Sequence, residues 1–169
     1  LFFLVPTGRA VEEDMISPQE HEEVFNWLHN LSQESSLTVR TTLGQPYRRV
    51  LLQHQAAGDQ ASTASQGFHL PTTNDGKGVC FISHVGMVQP SGFLPISAGN
   101  VRTEHLVDIY RQSPLFQELR DTSLLKGKCG ICPFNQVCGG CRARAYAMTG
   151  DYLASDPCCI FQPDAQDSA

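Results

Sequence analysis

The sequence has no apolar run approaching the ~18 residues that a membrane-spanning helix requires, and no membrane partner is expected. It has no basic block longer than the pair Arg48-Arg49, and its 12 Lys and Arg are outnumbered by 17 Asp and Glu, a formal net charge of −5. A nucleic-acid surface needs clustered positive charge, so that class of partner is disfavoured too. No internal repeat is present. Nor is there the composition of a disordered chain, since 41% of residues are apolar and 17% charged. No Met and no charged leader precedes Leu1-Phe2-Phe3-Leu4-Val5-Pro6, which is unlike a signal peptide and fits a cytoplasmic location. The 169 residues make one domain or two small ones. A compact chain of this size buries roughly 70% of its unfolded surface and needs no covalent staple.

What is present begins with that opening run. An apolar segment followed by the turn Thr7-Gly8-Arg9 reads as a fully buried strand, which needs neighbours on both sides. The expectation is therefore a fragment whose flanking strands lie upstream. Ser17-Pro18-Gln19-Glu20 is a helix start with a capping box and a proline at the first position. Val24, Phe25, Trp27, Leu28 and Leu31 follow at helical spacing and are read as its core face. A β-branched strand is expected over 37–42 and a helix over 46–55 with Val50, Leu51 and Leu52 inward. Strand–helix–strand–helix is the grammar of an α/β layer with parallel strands. Residues 56–78 read as a loop. A hairpin is expected around His84-Val85-Gly86, and two helical stretches between Asn100 and Arg120 flank Ser113-Pro114. From Thr122 the chain is rich in Gly and Cys with little periodicity, so something besides an apolar core must hold it.

There are seven Cys, and all but Cys80 lie between Cys129 and Cys159. Cys129 and Cys132 form one CxxC, Cys138 and Cys141 a second, and the pair Cys158-Cys159 follows. Two CxxC pairs this close put four thiolates within reach of one small centre, with adjacent glycines giving the backbone freedom to wrap it. An odd count without a leader argues against a disulfide framework. Structural zinc is a simpler reading, because thiolate knuckles are its usual ligands. Zinc knuckle pairs, however, are usually roughly 12–20 residues apart, farther than here. An iron–sulfur centre fits the spacing better, and its cubane can gather Cys from a tight loop plus a distant segment. Lys126, Lys128, Arg142 and Arg144 stand beside these thiols. They would either offset an anionic cluster or be ordinary solvated charge.

The stretch from Lys128 through Cys129-Gly130-Ile131-Cys132, Cys138-Gly139-Gly140-Cys141-Arg142 and Asp156-Pro157-Cys158-Cys159 resembles the SPASM domain of radical S-adenosylmethionine (radical SAM) enzymes. Cys80, with Gly92 behind it, resembles that domain's opening half. Residues 1–75 resemble the last elements of the radical SAM barrel. The resemblance implies an α/β fold: a remnant of a parallel-stranded barrel, then a small Cys-rich SPASM domain over 76–169 with a hairpin and short helices. It is most similar to haem-biosynthesis-like members, with peptide-modifying members second. It implies an oxidoreductase-type reaction on a tetrapyrrole or a peptide side chain, driven by reductive cleavage of S-adenosylmethionine. The implied electron donor is a flavodoxin or ferredoxin.

Two departures limit what carries over. The CxxxCxxC that holds the S-adenosylmethionine-cleaving cluster is absent, so this chain alone is expected to be catalytically silent. At the position where the family has a second Cys after Gly92, this sequence has Ser97. By resemblance, one [4Fe–4S] cluster takes Cys129, Cys132, Cys138 and one of the terminal pair, with Cys159 favoured over Cys158. Cys80 and Cys141, with Cys158 as a candidate third thiolate, remain for a second cluster near Ser97 that would need an open or non-Cys ligand. The simpler reading of Cys80 is a packed strand residue. Arg9, just past a barrel-type strand end, is the candidate cofactor contact, with a surface ion pair as the alternative. His84 and His105 are read as satisfied polar residues rather than ligands. The reading from another class is a zinc-stabilised binding module with no redox role.

Overall fold

The computed structural model describes residues 1–36, 38–58 and 73–163. Its order is a 3-10 turn (Glu12–Asp14), α1 (Pro18–Glu34), α2 (Tyr47–Ala56), β1 (Phe81–Ile82), β2 (Met87–Gln89) and β3 (Gly99–Asn100). Then come α3 (Leu106–Gln112), α4 (Pro114–Arg120), a 3-10 turn (Thr122–Leu124), α5 (Gly127–Gly130) and α6 (Arg142–Thr149). The fold is mixed α/β, with one small antiparallel sheet in the order β1-β2-β3.

The opening segment does not form a full strand. It makes a single parallel bridge, Phe2 with Thr42. Thr42 donates its N–H to Leu1 O at 2.9 Å, and Phe3 donates to Thr42 O at 3.0 Å. Parallel pairing between the first and second expected strands is therefore present, but over one rung. Of the strand expected over 37–42, Leu37 lies outside the described residues, as do positions 59–72 of the expected loop.

Helix α1 starts as its sequence dictates. The Ser17 hydroxyl accepts from Glu20 N, the Glu20 carboxylate accepts from Ser17 N at 2.7 Å, and Pro18 opens the helix. Its buried face is His21, Phe25, Leu28 and His29. Trp27 corrects the core face expected from spacing, because it is 56% exposed. At about 100° per residue, it sits about 200° around the helix from Phe25, so it cannot share that face. Phe25 and Leu28 pack with Phe3, Tyr47 and Val50 of α2, while Leu51 and Leu52 are only half-buried.

The hairpin forms as expected, Phe81 opposite Gln89 and Ile82 opposite Val88. β3 extends it, pairing Met87 with Asn100, and was not anticipated. The two helices either side of Ser113-Pro114 are α3 and α4, and they close over Val88 through Ile109 and Phe116. A third cluster joins distant parts of the chain: Val5, Leu43, Leu94, Leu119, Cys141 and Ala143. The opening segment and the Cys-rich tail thus share one core. At its edge Leu43 takes φ +60°, a conformation rare for a side chain with a Cβ. The reversal there brings Gly44 so close to the Phe3 ring that a Cβ would lie 2.7 Å from it.

Candidate metal centre

The tail after Leu125 is built around its cysteines and two buried arginines. α5 is a single turn carrying Cys129. Its Gly130 has no room for a side chain, since a Cβ would lie 2.2 Å from Leu125 O. The chain then turns through Cys132-Pro133-Phe134, where Cys138 donates its backbone N–H to Phe134 O at 2.8 Å. Gly140, at φ +65°, brings the second CxxC back toward the first, and a Cβ there would meet Arg142 Nη2 at 2.5 Å and Cys129 Sγ at 3.2 Å.

Asp156 organises the return of the chain. Its carboxylate is fully buried and accepts from Cys141 N at 2.9 Å, from Cys158 N at 3.1 Å and from Arg144 Nη1 at 3.2 Å. Arg144, equally buried, also donates to Leu43 O at 2.9 Å and to Leu4 O at 3.3 Å, tying the tail to the opening segment. Arg142 donates to Tyr152 O at 2.9 Å and Ala154 O at 2.6 Å, and reaches Cys129 Sγ at 3.7 Å. From the other side, Asn74 donates to Gly140 O at 2.7 Å, and Asp75 accepts from Ala143 N at 2.9 Å.

The result is a small cavity, partly open to solvent, lined by Cys129, Cys132, Cys138 and Cys159 together with Arg49, Lys128 and Phe161. Three chain segments supply its thiols. Backbone N–H groups already face the sulfurs: Asp156 N lies 3.4 Å from Cys129 Sγ, and Gly140 N lies 3.4 Å from Cys138 Sγ. Burial pushes the Cys138 thiol up to about 12 and also raises Cys132 and Cys159. Such thiols keep their protons near neutral pH until a cation takes the protons' place.

The other candidates lie elsewhere. Cys158 is buried beside this cavity but does not line it, and burial lifts its thiol to about 11. Cys141 is fully buried in the apolar cluster with Val5 and Leu94, and its sulfur accepts from Arg144 N at 3.4 Å at the start of α6. Burial also raises that thiol. Cys80 packs at the edge of the cluster around Val88 and Ile109. Neither Cys80 nor Cys141 lines the cavity, and Ser97 is exposed, its hydroxyl 3.4 Å from Gly99 O. Arg9 is exposed in its turn and does not line the cavity. His105 caps α3, accepting from Val107 N at 3.3 Å, and His84 is exposed. All seven cysteines are free in this structure. Among the described residues no three Cys, His, Asp or Glu groups converge tightly enough to hold a single ion. What the four thiols share is the lining of one cavity.

Of the neighbouring charges, Lys126 is mostly exposed and pairs with Asp151 at 2.5 Å, whereas Arg142 and Arg144 are buried. Lys128 reaches Cys159 O. Arg49 was not legible as a site residue. It comes from α2, eighty positions before Cys129, and only the tertiary fold brings it to the cavity.

With this geometry in view, comparison with known proteins is informative. The chain is 43% identical over 166 residues to an "AdoMet-dependent heme synthase" of Methanosarcina barkeri, covering 96% of this chain and 48% of that protein. It is 40% identical over 169 residues to the protein of the same name from Nitratidesulfovibrio vulgaris, covering 96% of this chain and 46% of that one. This chain is homologous to radical SAM enzymes of the SPASM type. A "PqqA peptide cyclase" of Methylocella silvestris is 44% identical over 66 residues, 38% of this chain and 18% of that protein. The chain spans about half the length of the heme synthases it matches. No protein-family model matches it.

Proposed function

We propose that Cys129, Cys132, Cys138 and Cys159 hold one [4Fe–4S] cluster, and that the chain is the auxiliary-cluster portion of a radical SAM enzyme. In this reading residues 1–75 continue the enzyme's barrel and residues 76–169 form the SPASM domain. The carrying observation is that these four thiols, and no other Cys, line one cavity. The donor set fits such a group: four soft sulfur ligands, each CxxC turned by a glycine, with N–H groups already directed at two sulfurs. Bound there, the cluster would supply an electron acceptor or relay, or an anchor for substrate. The chain's own part is to hold it. Arg142 and the Asp156 amide sit at Cys129, and Asp156 fixes the backbone on either side of the return to Cys159.

The heme synthase relatives, similar along nearly the whole chain, favour a tetrapyrrole substrate. The peptide cyclases match only part of it and put a peptide second. The chain contains no CxxxCxxC, so we infer that cleavage of S-adenosylmethionine lies with sequence outside these residues and that the chain alone is inactive. A flavodoxin- or ferredoxin-type donor and a cytoplasmic site complete the proposal. No described helix is long and apolar enough to cross a membrane.

Iron, acid-labile sulfide and zinc per chain, measured on the full 169-residue chain purified without oxygen, test this. About four iron and about four sulfide are expected, the content of one cubane. About eight of each would bring Cys80 and Cys141 into a second cluster. One zinc without sulfide would overturn the redox reading and leave a structural module.

A further inference from the structure

The cavity contains one charged group whose hydrogen bonding is incomplete. Arg49 is 3% exposed and forms a fork with Glu22: Nη1 donates to Glu22 Oε1 at 2.9 Å, and Nη2 donates to the other carboxylate oxygen. Nη1 also donates to Gln53 Oε1 at 2.5 Å. The face of the guanidinium lies over the Phe161 ring, 5.1 Å from its centroid. These three partners fix the plane of the group and engage its terminal nitrogens. Among the described residues Nε is buried with no hydrogen-bond partner, in a side chain that lines the four-thiol cavity. A buried N–H of a cation without an acceptor is rare and calls for one, and the fork with Glu22 prevents the group from turning to find another.

We propose that Arg49 donates its Nε–H to the cluster, at a ligating thiolate or a bridging sulfide, and that this contact sets the cluster's reduction potential. The proposal rests on the cluster assignment above. Reduction adds negative charge to the cluster. A fixed cation with an N–H directed at sulfur stabilises the reduced form more than the oxidised one, and hydrogen bonds to cluster sulfurs raise potentials in this way. Glu22 moderates the effect by offsetting part of the charge. Helices α1 and α2 thus tune a centre whose ligands all come from the tail. Arg49 is a positioning residue here, not a catalytic one.

The test is a redox titration followed by electron paramagnetic resonance on the full chain purified without oxygen, comparing the natural protein with Arg49→Gln, Arg49→Lys and Glu22→Gln. Iron and sulfide are assayed on each sample first. If the natural protein holds no iron or sulfide, the cluster assignment fails and this proposal falls with it. If the cluster is present, Arg49→Gln is expected to shift the oxidised-to-reduced ratio at fixed potential about tenfold toward oxidised, which is about 59 mV for a one-electron couple. Arg49→Lys keeps the charge and should shift it less. Glu22→Gln should shift it the opposite way. An unchanged potential in a fully loaded Arg49→Gln protein overturns the proposal while leaving the cluster assignment standing. Should Arg49→Gln fail to load, Glu22→Gln decides. A potential that does not rise in that loaded variant overturns the proposal as well.

Discussion

Replacing Asp156 with Asn should unfold the tail far more readily than the loss of one surface charge would. The carboxylate is fully buried and faces a fully buried guanidinium. It also accepts from two backbone amides, Cys141 N and Cys158 N. The amide replacement keeps the volume but leaves Arg144 as an uncompensated charge in the core, and breaking a buried pair from one side typically costs about 3–5 kcal/mol. Turning its nitrogen toward either backbone N–H would orphan that donor too, at about 1–3 kcal/mol. These contributions overlap, so about 3–5 kcal/mol is the expected loss. That is a large share of the roughly 5–15 kcal/mol by which domains are stable. Urea unfolding followed by circular dichroism reads it directly, as a lower midpoint with unchanged slope. A loss under about 1 kcal/mol, the range of exposed pairs, would show that the Arg144–Asp156 pair does not hold the tail to Leu4 and Leu43.

Three further perturbations have defined signs. Burial holds His21 below its ordinary value of 6.5, so the unfolded chain binds more protons than the folded one in the window between the two values. The stability from neutral His21 is fully present above about 6.5 and is lost as pH falls through that window. Unfolding midpoints at about pH 7.5 and about pH 5.5 should diverge in the natural protein and less so in His21→Phe. Gly140→Ala forces a Cβ into Arg142 Nη2 and Cys129 Sγ at φ +65°, and should lower both thermal stability and iron content. Full iron loading in that variant would show that the turn does not set the cavity. Cys132→Ala should loosen the chain after Leu125, because ligation couples to folding. Protease resistance there equal to the natural protein's would count against that coupling.

What the sequence reveals is what depends on neighbours along the chain. Ser17, Pro18 and Glu20 specify the start of α1 within four positions, and the structure reproduces the reciprocal cap. The spacing of the two CxxC pairs puts Cys129, Cys132, Cys138 and Cys141 within reach of one centre, and the fold brings the first three to one cavity while Cys141 turns into the apolar cluster around Val5 and Leu94. Ser113-Pro114 likewise divides α3 from α4. The misses are tertiary. Trp27 has helical spacing from Leu31 but lies off the arc defined by His21, Phe25 and Leu28. β3 is two residues long and exists only because β2 offers it an edge. α6 escaped notice because its buried side includes Arg142 and Arg144, which hydropathy reads as surface. They are internal because carbonyl oxygens of Tyr152, Ala154, Leu4 and Leu43 and the Asp156 carboxylate await them.

Two of the buried arginines, Arg144 and Arg49, show how scaffold and site divide the work. Arg144 has acceptors for its donors entirely within the protein: Asp156, Leu4 O and Leu43 O. Its burial is complete whether or not anything occupies the cavity, so it belongs to the scaffold. Arg49 is also buried, yet among the described residues its Nε lacks a partner and the side chain borders the thiols. A protein without a guest there would gain nothing from leaving that N–H unpaired, since Gln or Leu would fill the space at lower electrostatic cost. Cys132, Cys138 and Cys159 raise the same question, because burial makes each of these three harder to ionise, and only a bound cation reverses that. Two independent deficits, protons that burial retains on sulfur and a donor without an acceptor, face one cavity, and a single anionic metal–sulfur centre removes both.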